Sequence, residues 1–311
     1  MNQSIKVSII CAAYNQENYI GQALDGFVMQ KCGFPFEALV HDDLSTDSTA
    51  SIIREYEAKH PDIIRGIYEK ENLYSRGKHM IREILKYAKG EYIAICEGDD
   101  YWTDENKLRL QVEYLDSHPD CSICCHAFAQ LDSHTGKVTH ARILDGDGDI
   151  SFERILSNKN TPHTATLLVR RKLMEQQPDF FDIDVTGDYP LKLWMTLNGK
   201  FHYIDREMSC YRVMSVGSWS SKLEKDRQRR ASRLERRIRF LTELDSFTNG
   251  RYSDEINNQL DSFCFKENYL LGRYKEARKS PLFKQQSAAK KAFILFGSVF
   301  PGLALKLHDK R

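Results

Sequence analysis

Three carboxylates fall within four positions at Glu97, Asp99 and Asp100, in the stretch YIAICEGDDYW that runs from Tyr92 to Trp102. Like charges that close repel, and burying them is costly unless something compensates. A divalent cation compensates. Mg2+ and Mn2+ favour oxygen ligands and often use only one or two protein carboxylates, with substrate phosphates completing the shell. Such a site stabilises charge on a departing phosphate or diphosphate. More acids stand at Asp42 and Asp43 in VHDDLSTDST, and at Asp182, Asp184 and Asp188 in FFDIDVTGDYPLKLWM.

These residues are carried on a repeating pattern of elements. The continuous apolar run VSIICAA (7–13) predicts a strand buried on both faces. A helix from about Glu17 to Gln30 follows, with Ile20, Ala23, Leu24, Phe27 and Val28 at helical spacing. FEALV (36–40) predicts the second strand. Ser45, Thr46 and Asp47 offer caps for a helix striped by Ile52, Ile53 and Tyr56. IIRGIY (63–68) is the third strand, and Gly77 opens a helix carrying Met80, Ile81, Ile84, Leu85 and Ala88. YIAIC (92–96) is the fourth strand, before a helix around Leu108, Val112 and Leu115 and the apolar run CSICCHAF.

This alternation predicts an α/β fold, a mostly parallel Rossmann-like sheet with helices on both sides. Ligands of such sheets bind beyond the C-terminal strand ends. The polar clusters fall there: Tyr14 and Asn15, Asp42 and Asp43, Asn72 to Lys78, and Glu97 to Asp100. Solvated turns explain one such cluster easily but not four.

The 311 residues suffice for one large domain and an appendage, and a net charge of +1 argues against nucleic acid as a partner. No signal peptide and no membrane span is expected. The eight scattered cysteines predict reduced thiols in a cytoplasmic protein. No G-x-G-x-x-G follows the first strand and no G-x-x-x-x-G-K-[ST] occurs, which disfavours dehydrogenases and P-loop enzymes. DGDGD (145–149) lacks the glutamate that closes a calcium loop, and CSICCH (121–126) lacks the second ligand pair of a zinc site.

VSIICAAYNQENYIGQAL, VHDDLSTDST and KGEYIAICEGDDYW, in that order and spacing, resemble the family 2 glycosyltransferases of GT-A fold, over about residues 5 to 215. The resemblance implies a nucleotide-sugar half at about 1–120, an acceptor half at about 121–220, and beyond them a helical region at 221–311. It implies that Ala13, Tyr14, Asn15 and Asp43 line the nucleoside pocket and that Arg76 and Lys78 reach base or phosphate. Asp100 would ligate Mn2+ or Mg2+, with Asp99 facing the ribose or the metal shell. Glu97 replaces the first Asp of the family's DxD motif. Asp188 takes the place of the family's catalytic base, with Asp182 and Asp184 as competitors; as a helix cap beside Pro190 it fulfils a compatible role. In NTPHTATLLVRR (160–171), His163 either touches a sugar or satisfies a turn. CYRVMSVGSWS keeps Tyr211 and Arg212 of the family's closing loop, with Met214 where His is common; Arg212 would contact the diphosphate and Ser218 to Ser221 form a lid.

The implied activity is inverting, metal-dependent transfer from a nucleotide sugar, a UDP-sugar foremost, to a glycan or lipid-linked acceptor in bacterial surface polysaccharide synthesis. Rival readings are a nucleotidyltransferase of similar fold, which would want a glycine-rich basic loop where AAYNQENYI stands, and a nucleotide-sugar-binding protein with decayed chemistry. The basic stretch 222–239, with Leu234, Ile238, Leu241 and Leu244 as the apolar stripe of its helix, is either a solvated face or a contact with anionic lipid on the inner face of a membrane. The apolar C-terminal stretch either packs on the rest of the chain or joins that contact. A homodimer is compatible with all of this.

Overall fold

The structure is a computed structural model and describes residues 4–183, 188–213, 215 and 226–308. The chain forms two compact units: Met1–Pro178 with Val185–Ser218, and Asp179–Asp184 with Trp219–Arg311.

The first unit is built on a sheet of order β3-β2-β1-β4-β9-β6-β10-β5. Its first half is the expected parallel layer: β1 (Val7–Ala13), β2 (Phe36–Asp42), β3 (Ile64–Tyr68) and β4 (Tyr92–Ile95). β1 lies between β2 and β4, so both its faces meet helices, and Val7, Ile9, Ile10 and Cys11 are buried. The helices are α1 (Ile20–Val28), α2 (Thr49–Lys59), α3 (Met80–Leu85) and α4 (Lys107–Ser117). Gly77 does not open α3. It sits at φ +76° and closes a 3-10 turn at Tyr74–Arg76, so the helix starts three residues later and Ala88 lies beyond its end.

The second half of the sheet is mixed. β6 (Cys121–Asp132) and β10 (Lys200–Val213) are parallel, but β9 (Leu168–Arg170) is inserted antiparallel between β4 and β6. The short strands β5 (Tyr101–Trp102) and β8 (Gly148–Asp149) pair antiparallel with β10, and β7 (Val138–Ala141) with β6. β9 enters from a 3-10 turn (Thr164–Thr166) rather than a crossover helix, so it need not run parallel to β4. The remaining helices of this unit are α5 (Phe152–Ser157), α6 (Arg171–Glu175) and α7 (Asp188–Leu197).

The second unit is helical: α8 (Arg227–Phe247), α9 (Ser253–Leu270), α10 (Tyr274–Lys279), α11 (Ala288–Val299) and α12 (Pro301–His308). The buried stripe of α8 keeps Leu241 and Leu244 of the expected one but not Leu234 and Ile238. Ala231, Arg237, Phe240, Leu241 and Leu244 are buried, while Leu234 and Ile238 are half-buried. Phe180 and Phe181 draw the stripe toward Phe240, at centroid distances of 6.1 and 5.2 Å, and Arg237 lies 5.8 Å from the Phe263 ring. Part of the basic face is therefore packed within its own unit; residues 222–225 of it lie outside the described residues. A second core, of Phe265, Tyr274, Ala277, Ile294 and Ala304, joins α9 to α12.

Candidate active site

The acid loop is fixed by strand pairing on both sides. Beyond β4 the chain keeps bonding to β1, with Cys96 N donating to Ile10 O (3.0 Å) and Gly98 N to Ala12 O (3.1 Å). Immediately afterwards Tyr101 pairs with Cys210 of β10. A Cβ on Gly98 would press on Gln16 Oε1 and lie 2.8 Å from Ile20 Cδ1, so a larger residue there requires these side chains or the loop to shift. Glu97, Asp99 and Asp100 thus converge, each offering a carboxylate oxygen within 4.8 Å of the others.

The three acids grade from interior to solvent: Asp100 is buried, Asp99 half-buried and Glu97 exposed. Asp100 Oδ1 accepts from Arg212 N at 2.8 Å, whereas Oδ2, equally buried, has no hydrogen-bond partner. Asp99 Oδ2 accepts from Ser215 Oγ at 2.7 Å. Burial, and then the charges of Asp99 and Glu97, hold the Asp100 carboxyl well above the usual range. Burial also raises Asp99. Its recessed setting, then Asp99 and Asp188, push Glu97 up to about 8, a rise that water screens because the side chain itself is exposed. A buried, unpartnered carboxylate oxygen among crowded acids suits a divalent cation with oxygen ligands, so these residues fit Mn2+ or Mg2+.

Asp188 begins α7, near enough to Glu97 and His163 for its charge to act on both. Its Oδ2 accepts from Lys192 Nζ at 3.1 Å. Lys192 is buried and also donates to Pro162 O at 3.0 Å, so one ammonium ties Asp188 to the loop carrying His163. Of the competitors, Asp182 belongs to the second unit and Asp184 lies outside the described residues. His163 does satisfy a turn, its Nδ1 accepting from Ala165 N at 3.3 Å. It also stacks on Tyr211 with centroids 3.8 Å apart, and Nδ1 lies 3.6 Å from Asp100 Oδ2. Burial pushes its imidazole down to about 3, so the ring is neutral.

Asp43 N donates to Ala13 O at 3.0 Å and Asn15 Oδ1 accepts from Thr46 N at 2.8 Å, knitting the turns after β1 and β2 together. Asn15 sits at φ +52°, a region asparagine tolerates, and Tyr14 is exposed beside it. Asp43 is buried, and both its oxygens accept backbone bonds, from Leu73 N at 2.7 Å and Tyr74 N at 3.1 Å. Asp43 therefore anchors the backbone at Leu73 and Tyr74 to the turn after β2. Arg76 is exposed and paired with Glu71 at 2.8 Å, and Lys78 is exposed on the same rim.

Arg212 is engaged within the protein. Its guanidinium lies 5.2 Å from the Tyr19 ring and 4.7 Å from the Tyr101 ring, bonds Gln22 Oε1, and leaves Nε without a partner. Met214 and Ser218 to Ser221 lie outside the described residues. Trp102 is a packing residue, buried edge-on against Phe27 with Nε1 donating to Ala165 O at 3.0 Å.

Sequence reasoning missed Ser215, Gln22, Lys192 and Lys107. Lys192 had a readable signal, a lysine four residues after Asp188 among apolar helix positions. Lys107 is fully buried, 4.1 Å from the Trp102 ring, and donates to Gln111 Oε1 at 2.7 Å. Gln111 Nε2 in turn donates to Cys124 O and Thr166 O. Cys124 and Cys125 are buried thiols whose burial raises them far above the usual range.

A parallel half-sheet ending on a carboxylate loop, continued by a mixed half that supplies a further acid, is the GT-A architecture. Solved structures share it. One of Staphylococcus aureus TarS in complex with UDP-GlcNAc matches with a TM-score of 0.60 over 98% of this chain and 91% of that one, at 18% identity. The mannosyltransferase PcManGT from Pyrobaculum calidifontis, in complex with GDP-Man and Mn2+, matches with a TM-score of 0.56 over 99% and 88%, at 16% identity. At those identities the likeness is one of fold.

The chain belongs to glycosyl transferase family 2, whose model matches residues 8–176. An uncharacterized protein of Mycobacterium tuberculosis is 37% identical over 219 residues, 69% of this chain and 61% of that relative, so the chain spans less than two thirds of it. The poly(ribitol-phosphate) beta-N-acetylglucosaminyltransferase TarS of Staphylococcus aureus is 33% identical over 118 residues, 37% of this chain and 19% of TarS.

Proposed function

We propose that the protein transfers a hexosyl or N-acetylhexosaminyl group from a UDP-sugar to a glycan or lipid-linked acceptor of a bacterial surface polysaccharide, with inversion at the anomeric carbon. The observation that supports this reading is the Glu97–Asp99–Asp100 cluster, whose Asp100 Oδ2 is buried without a hydrogen-bond partner, with Asp188 near enough for its charge to act on Glu97. Relatives support the donor class, since TarS is named for N-acetylglucosaminyl transfer and has been solved with UDP-GlcNAc.

The acceptor hydroxyl oxygen attacks the anomeric carbon as the bond from that carbon to the diphosphate oxygen breaks, and the hydroxyl proton passes to Asp188. Lys192 holds the Asp188 carboxylate toward the cleft through the 3.1 Å contact. Asp100 and Asp99 would hold Mn2+ or Mg2+, and Glu97 would reach the same shell through water. Once bound, the ion stabilises charge on the leaving diphosphate. Tyr14, Asn15 and Asp43 would bound the nucleoside, with Arg76, Lys78 and Arg212 disposed toward the phosphates.

Mn2+-dependent hydrolysis of UDP-sugars tests this, with wild type against Asp188→Asn and Asp100→Asn. Turnover in wild type alone supports the reading. Nucleotide binding without turnover in all three would leave a binding protein instead, and undiminished turnover in Asp188→Asn would move the base elsewhere.

A further inference from the structure

A second feature of the molecule is unused by this chemistry and lies within the helical unit. Eleven large apolar residues are conspicuously exposed among the described residues, and five of them fall between Leu295 and Leu307. Leu295, Val299, Phe300, Leu303 and Leu307 are 42%, 68%, 55%, 53% and 44% exposed. Scattered exposed apolar residues are ordinary, but a contiguous patch marks an interaction site.

The five residues lie on two successive helices and their join. α11 is capped at Phe300, whose backbone (φ −122°, ψ 65°) is not helical, and α12 starts at Pro301. Leu295 and Val299 are four residues apart on α11 and Leu303 and Leu307 four apart on α12, so each pair shares one side of its helix. The opposite side is anchored in the unit's core. Ile294 and Ala304 are buried there, Ser298 Oγ donates to Tyr274 O at 3.2 Å, and a Cβ on Gly297 would lie 2.4 Å from Tyr274. The stripe consequently points outward.

Its charge setting is basic. From Ser280 to Arg311 the sequence holds Lys284, Lys290, Lys291, Lys306, Lys310 and Arg311 against a single acid, Asp309. Lys290 turns inward over the Phe265 and Tyr269 rings, at 5.2 and 4.7 Å. Lys284 and Lys306 are exposed and Lys291 is half-buried. No helix among the described residues is long and apolar enough to cross a membrane. A short apolar face rimmed by lysines is the composition that lies in the plane of an interface.

We propose that the outward face of α11 and α12 docks on the surface of an anionic bilayer. Leu295, Val299, Phe300, Leu303 and Leu307 enter the headgroup–acyl boundary, and Lys284, Lys291 and Lys306 meet lipid phosphates while their stems stay on the apolar side. The lysines select this partner over a second copy of the chain. A two-fold interface opposes a patch to itself, so it would bring these ammonium groups together with a single acid, Asp309, against six basic residues from Ser280 onward.

The test is sedimentation of the full chain with phosphatidylcholine vesicles, with and without phosphatidylglycerol, at low and high salt. It needs neither donor nor metal, so its outcome is independent of the catalytic reading. Binding to phosphatidylglycerol vesicles that weakens with salt is expected. Leu295→Ser combined with Val299→Ser and Leu303→Ser should lower partitioning at least about tenfold. These residues are exposed, so an unchanged thermal melt would certify that the variant folds. Lys291→Gln with Lys306→Gln should keep the fold and lose the preference for anionic lipid. No binding to anionic vesicles, or a serine variant that binds as wild type does, overturns the proposal. Self-association abolished by the same serine changes would also overturn it, giving the face to a second copy.

Discussion

The backbone N–H of Arg212 donates to Oδ1 of Asp100 at 2.8 Å, across 112 positions of sequence. That bond fixes the carboxylate and leaves its other oxygen buried with no hydrogen-bond partner. The orientation is enforced by strand pairing, because β5 and β10 meet at Tyr101 and Cys210 on either side of it.

Asp100→Asn keeps the size and the bond to Arg212 but removes the charge. Mn2+ binding, read by calorimetry, should fall below detection, and metal-stimulated turnover should drop by at least about 10²-fold. Glu97→Gln removes a carboxylate that faces solvent and should weaken Mn2+ far less. Equal losses in the two variants would contradict the graded arrangement from Asp100 to Glu97.

Gly98→Ala puts a methyl against Gln16 and Ile20 at sub-contact distances. The loop or α1 must shift, and overpacking of this kind costs about 1–3 kcal/mol. A lower urea midpoint with unchanged slope is the expected result, together with weakened Mn2+ binding, because the same shift displaces Asp99 and Asp100. An unchanged midpoint would mean that Gln16 simply swings away.

Lys192→Met removes the ammonium shared by Asp188 and Pro162 O and keeps most of the buried volume. Donor affinity should hold while turnover falls by about 10- to 100-fold, since a small misplacement of a reacting group carries that cost. Donor affinity comes from a binding titration and turnover from initial rates. Wild-type turnover would show that α7 positions Asp188 without Lys192.

These predictions mark where sequence reasoning stopped. The parallel half of the sheet was legible because each strand is a short apolar run followed by an amphipathic helix, and the acid loop because its charges follow such a run directly. The antiparallel insertion of β9 was not legible, since three residues of LVR carry no direction. The contacts of Asp100 with Arg212 and of Asp99 with Ser215 were also hidden. They join residues more than a hundred positions apart through a strand pairing that no local pattern encodes. In α8 the periodicity suggested Leu234 and Ile238, but aromatic residues from Phe180, Phe181 and α9 chose Phe240 and even Arg237 instead.

Lys107 supplies a pH dependence with a definite sign. Burial pushes its ammonium down to about 7 from 10.5, with nearby thiols only partly offsetting. The unfolded chain therefore binds more protons than the native state between those values, and stability rises with pH across that window. Below about pH 7 the native state must carry the charge, which costs roughly 5 kcal/mol. The buried thiols, raised by burial, act in the opposite direction at alkaline pH in wild type and variant alike, so the readout is a difference. Lys107→Met leaves Gln111 Oε1 without its donor but removes the titration. The stability of wild type relative to Lys107→Met should climb between pH 7 and pH 10 and level off below pH 7. Thermal melts of both proteins across that range check it, and parallel curves would mean that Lys107 stays charged in the folded protein, held by Gln111 and the Trp102 ring.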